Sequence, residues 1–213
     1  MIGMAAFGIC FLMAVVLHEV CHGLAANALG DPTAKQAGRL TLNPLKHLDP
    51  FWTLLLPALL FISTQGQFAI GMAKPVPVNF ARLGRPKRDM IWVALAGPAA
   101  NLFLAYFINI LFRFFQPFSG PEAERISEFL LLAVYFNLGL AVFNLIPIPP
   151  LDGSKIVAGI LPRGLARRYL SIEPWGFIII LILYFTRTLS HLIVPGINFF
   201  CRLLQTPKIS VIF

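Results

Sequence analysis

The chain has 213 residues, of which 58% are hydrophobic and only 12% charged, with a mean hydropathy of +0.79. No ordinary soluble domain has that balance, so one integral membrane unit is expected, without a polar block large enough for a second, soluble domain. The net charge of +8 comes from basic residues in short loops between apolar runs, which marks membrane topology and excludes nucleic-acid binding.

The first span runs from about Ile2 to Leu29 and stops at Gly30-Asp31-Pro32. It lacks the basic start of a signal peptide, since the first Lys or Arg is Lys35, and it is expected to be retained. Thr33 to Asp49 is polar and broken by Asn43-Pro44 and Asp49-Pro50, which reads as irregular or strand-like backbone near the membrane surface. Phe51 to Ile62 is apolar but too short to cross, because a spanning helix needs about 20 residues. Basic loops flank it on both sides, so a re-entrant path keeps both in the cytoplasm. Gly66 to Asn79 contains alternating prolines at Pro75 and Pro77 and reads as an edge strand or extended segment. Such backbone at membrane depth requires protein or a water-filled cavity beside it.

Met90 to Phe112 is an uncharged span. Arg113 to Glu128 reads as an acidic, outside loop. Phe129 to Leu151 is the next apolar run, broken at Pro147, Pro149 and Pro150 before Asp152-Gly153. Lys155, Arg163, Arg167 and Arg168 put that end inside. Ile172 to about Leu192 reads as a further span, and the segment after Pro195-Gly196 to Leu204 as either a span or a surface helix. Cys10, Cys21 and Cys201 are odd in number and far apart, which argues against a disulfide framework. The fold expected is an all-α polytopic membrane protein of about four to six transmembrane helices. It forms a single domain over 1–213, with a core to about 156 and C-terminal helices over about 170–206.

The chemistry concentrates at His18-Glu19-Val20-Cys21-His22, the end of the first uncharged run. Positions i and i+4 share a helix face, so His18 and His22 can hold one metal ion, and Glu19 can reach its water. Two imidazoles with an open position suit catalytic zinc, which takes a third protein ligand. Candidates are Asp152, Asp49, His47 and Cys21. With this topology the histidine end of the first span and Asp152 face the same, cytoplasmic side.

These motifs resemble a known family. His18 to His22, together with Asn144-Leu145-Ile146-Pro147-Ile148-Pro149-Pro150-Leu151-Asp152-Gly153, resembles the site-2 protease family of intramembrane zinc proteases. Ala96-Gly97-Pro98-Ala99-Ala100-Asn101 resembles the turn in that family's middle core helix. Gly38 to Pro50 and Lys74 to Asn79 resemble the small bacterial subgroup without PDZ or CBS domains. Cys21, and Ser154-Lys155 after the Asp-Gly pair, depart from the common pattern. The resemblance implies one zinc ion held by His18, His22 and Asp152, Glu19 as general base, and Asn144 as donor to an oxyanion. It implies a multi-pass plasma-membrane endopeptidase, with its active site toward the cytoplasm. Its partners would be a transmembrane substrate, lipid and, in place of a built-in sensing gate, a regulatory membrane protein. An extended segment with Gly71, Lys74, Pro75 and Val76 would hold the locally unwound substrate by strand addition. Asn101 and Asn137 read as structural. Two other functions fit less well. An inactive membrane-protein-binding relative has no use for Glu19, and a metal transporter or sensor would need ligands along Met90 to Phe112, which offers none.

Overall fold

A computed structural model describes residues 2–63, 65 and 73–209. Helix α1 (Ile2–Ala28) is followed by the short α2 (Thr33–Gln36), a 3-10 turn at Pro44–His47, a π-helical turn at Pro50–Leu55 and α3 (Leu56–Ser63). Then come α4 (Pro86–Phe115), α5 (Pro121–Asn144), α6 (Asp152–Ile160), α7 (Arg163–Leu170), α8 (Glu173–Phe185) and α9 (Thr188–Leu204). The described residues are all-helical, with no strand. Among the described residues, three helices are long and apolar enough to cross a membrane: Cys10–Ala28 of α1, α4 and α5. The pair α7 and α8, bent by 59°, makes a fourth if counted as one span.

The central helix is α4, which packs on α1, α5 and α6. Its buried face carries Ala94, Gly97, Pro98, Asn101 and Ala105. Small residues let helix backbones approach where lipid offers no hydrophobic driving force between helices. The opposite face is apolar yet uncovered: Phe103 and Phe114 are 64% and 63% exposed. Water would penalise such a surface and a bilayer would not. Helix α9 closes against α5 through a core of Ala105, Val134, Leu138, Ile197 and Cys201.

Several sequence expectations change. Arg113 to Glu128 is mostly helix: α4 continues to Phe115 and α5 begins at Pro121, with Gly120 turning the chain at φ 119°. Proline at the first helical position and acids in the first turn, Glu122 and Glu124, favour that start over a loop. Ile172 to Leu192 is not one span. It breaks at Arg187, whose φ of 60° is left-handed, and Pro195 lies inside α9 instead of ending a helix. Thr33 to Asp49 contains α2 and the 3-10 turn in place of a strand. The Asn43 side chain accepts from Leu45 N–H and starts that turn. Pro50–Leu55 and α3 have six and eight residues. Together they reach about 21 Å, short of the bilayer's ~30 Å core.

Candidate metal centre

Two helices that never meet in sequence build the centre. His18 and His22 sit one turn apart on the inner face of α1, 5% and 8% exposed. Asp152 opens α6, 5% exposed. The prolines after Ile146 end α5, and the chain doubles back through Ile148 N–H to Ile146 O and Leu151 N–H to Ile148 O. Gly153 permits the reversal: a Cβ there would collide with the Leu145 and Ile146 carbonyls. Asp152 thus starts a new helix instead of ending the old one.

Asp152 Oδ2 lies 3.1 Å from His18 Nε2 and 3.1 Å from His22 Nε2. The two Nε2 atoms are 3.0 Å apart. The outer nitrogens decide what these atoms are. His22 Nδ1 is 2.6 Å from Val93 O, a carbonyl that can only accept, so Nδ1 carries the proton. His18 Nδ1 is 2.7 Å from Asn101 Oδ1. The Asn101 amide group donates to Ala14 O at 3.0 Å and Asn137 Oδ1 at 3.1 Å, which turns its oxygen toward His18. Both imidazoles therefore present the Nε2 lone pair inward.

Two lone pairs and a carboxylate oxygen at such distances repel unless a proton or a cation stands among them. Zinc with bonds of about 2.0–2.1 Å sets tetrahedral ligands about 3.3 Å apart, close to what is seen. Gly97 completes the cradle: a Cβ there would overlap His22 Nε2 and lie 2.6 and 2.7 Å from His18 Cε1 and Nε2. The donor set and this space fit a zinc ion. Among the described residues, His18, His22 and Asp152 form the only group of three such ligands. Burial alone would raise the Asp152 carboxyl. The charge of Lys155, 3.5 Å from Oδ1, works the other way and favours the ionised carboxylate.

Glu19 lies beside this trio in a cleft of about 640 Å³ that Asn144 also lines. Glu19 Oε2 accepts from Val76 N–H at 2.7 Å. The extended residues 73–79 thus run past the acid, pinned by four further bonds. Lys74 N–H donates to His47 O, Arg39 Nη2 donates to Lys74 O and Pro75 O, and Asn79 N–H donates to Asp31 Oδ2. Pro75 and Val76 line the cleft, Lys74 does not, and Gly71 lies outside the described residues. Asn144 donates to Leu140 O, one turn back, with one of its two amide N–H groups.

The other third-ligand candidates sit elsewhere. His47 is buried with Nε2 at Thr41 O, 2.8 Å away, and Asp49 Oδ1 accepts from Phe51 N–H at the start of the π-helical turn. Cys21 is only partly buried and outside the trio. Sequence reasoning missed the roles of Asn101 and Gly97 at the histidines. An amide inside an uncharged span was a signal for the first, whereas nothing marked the Val93 carbonyl.

Residues 118–185 match peptidase family M50. The chain is 36% identical over 194 residues to a Bacillus subtilis protein named "Putative zinc metalloprotease YwhC", covering 89% of this chain and 84% of that one. It is 33% identical over 181 residues to Rip2 of Mycolicibacterium smegmatis, which bears the same designation, covering 85% and 67%. A third such protein, from Methanocaldococcus jannaschii, is 43% identical over 65 residues, 30% of this chain and 31% of that one. No solved structure matches significantly. With a relative aligned over most of both chains, and with the motifs at the ends of α1 and α5 meeting in one cleft, the chain belongs to peptidase family M50, the site-2 proteases.

Proposed function

We propose that this zinc metalloprotease cuts peptide bonds in or near transmembrane segments of membrane proteins. The observation that carries the reading is the inward-facing trio of His18, His22 and Asp152 with the Glu19 carboxylate in the same cleft. His18, His22 and Asp152 would hold the metal. Zinc, when bound, supplies Lewis acidity: it polarises a carbonyl and acidifies water at neutral pH.

The protein groups do the rest. Glu19 takes a proton from the attacking water and later passes it to the leaving amine; Val76 N–H holds Oε2, which leaves Oε1 for that transfer. The Asn144 amide has a second N–H to offer the substrate oxyanion. Pro75 and Val76 flank the cleft where an unwound substrate would lie, with Lys74 and Gly71 continuing the same segment. Basic loops at the metal end of the bundle support a cytoplasm-facing site in the plasma membrane.

The experiment is metal analysis with cleavage of a single-span helical reporter by the full chain in liposomes. About one zinc per chain and cleavage that stops on chelation are expected. Asp152→Ala should lose the metal, while His47→Ala and Asp49→Ala keep it. Retention of full zinc affinity by Asp152→Ala would remove the third ligand from this scheme.

A further inference from the structure

One acid in the cleft takes no part in this chemistry. Besides the two histidines, the cleft's titratable residues are Glu19, Asp152, Lys155 and Glu173. Asp152 belongs to the trio, Glu19 is held by Val76, and Lys155 is paired with Asp152 Oδ1 at 3.5 Å. Glu173 has no ion-pair partner among the described residues, so the one uncommitted charge in the cleft is negative.

The position of Glu173 is fixed relative to the metal centre. It opens α8, and three residues on, Gly176 abuts the Pro149 carbonyl so closely that a Cβ would overlap it. Tyr169 Oη, at the end of α7, donates to Pro147 O at 2.6 Å. Both contacts clip the α7–α8 corner onto the turn that leads into Asp152. From Glu173 the same helix face continues with Phe177 and Ile180, at i+4 and i+7, and both line the cleft. The wall facing the cleft is therefore an apolar stripe with a carboxylate at one end. A membrane segment has the complementary pattern: an apolar stretch whose cytoplasmic end carries Lys or Arg.

We propose that Glu173 is a specificity-determining residue, receiving the cationic side chain at the cytoplasmic end of an apolar substrate segment that lies along Phe177 and Ile180. This rests on the proteolytic reading above and names its substrate class.

The test uses the zinc-loaded full chain in liposomes and three single-span reporters differing only in one cytoplasmic boundary residue: Lys, Gln or Glu. Wild type should rank them Lys, Gln, Glu in kcat/KM, with about tenfold between the ends. The ranking should reside in KM, because the pair forms on binding. Glu173→Gln should flatten the ranking and Glu173→Lys should invert it, each with unchanged zinc content. A second readout uses Glu19→Gln protein, which should bind the uncut Lys reporter more tightly than the Glu reporter, and lose that preference when combined with Glu173→Lys. Cleavage with no ranking, or with the same ranking in Glu173→Lys, would overturn the inference alone. A zinc-loaded wild type that cuts none of the reporters would overturn the proteolytic reading and this inference with it.

Discussion

His18 and Asn101 are 83 residues apart in sequence, and their side chains meet at 2.7 Å between Nδ1 and Oδ1 in the middle of the bundle. That contact fixes which nitrogen of His18 faces the metal centre. A ligand histidine whose outer N–H is unheld can rotate or change tautomer, and loss of such a partner costs roughly 10–100-fold in metal affinity. Asn101→Leu should lower zinc affinity by about that factor, read by competition with a chromophoric chelator. Asn101→Asp, which keeps an acceptor for His18, should recover part of it. Unchanged affinity in Asn101→Leu would show that α1 alone orients the ring.

Gly97 and Gly139 make a matched pair. A methyl at 97 enters the space between the two Nε2 atoms, whereas one at 139 meets only Ile197 Cδ1 at 3.8 Å. Gly97→Ala should lose most bound zinc and cost about 1–3 kcal/mol through overpacking. Gly139→Ala should keep both metal and stability. Equal behaviour of the two variants in metal analysis and thermal unfolding would refute the cradle.

Glu19 and Asn144 should separate base from oxyanion donor. Glu19→Gln keeps the bond to Val76 N–H but cannot take the water's proton, so zinc should stay while reporter cleavage falls by several powers of ten. Asn144→Ala should keep zinc too, with a smaller loss of roughly 10²–10³. Near wild-type cleavage by Glu19→Gln would end this mechanism.

Asp31 ties the end of α1 to the segment beside Glu19. It accepts from Thr33 N–H, the Thr33 hydroxyl and Asn79 N–H. Burial alone would raise its carboxyl, but these bonds and the charge of Arg82 outweigh that and hold it below its ordinary value. The folded form therefore favours the ionised acid. Its support is full at neutral pH and is lost as the pH falls past the unfolded value of about 3.9 and through the folded one. Asp31→Asn should expose residues 73–79 to proteolysis at pH 7, and the gap to wild type should narrow as the medium is acidified. A gap that holds constant with pH would assign the effect to shape alone.

The sequence by itself determined the membrane class, and it marked the candidate metal-binding pair on α1 and the candidates for a third ligand, because composition and i, i+4 spacing are local properties of a chain. It also marked Phe51 to Ile62 as too short to span, which the π turn and α3 bear out in length. Helix ends were harder. Arg113 to Glu128 looked like a loop because charges accumulate where spans leave the bilayer, yet helix continues through most of it. Arg187 marked an interruption in the run from Ile172 to Leu192, but that the helix ends there was not legible, because the hydropathy continues on both sides. Among Asp152, Asp49, His47 and Cys21 the family resemblance already pointed to Asp152, but only the tertiary structure shows how its carboxylate comes within 3.1 Å of both histidines, since that depends on how α6 folds back over Gly153. The same holds for Asn101, Gly97 and the Val93 carbonyl. Their contacts with the histidines span 71 or more residues of chain, and close approach of α1 and α4 brings them together. No local pattern encodes a contact made by packing two helices whose own sequences ask only to be buried in lipid.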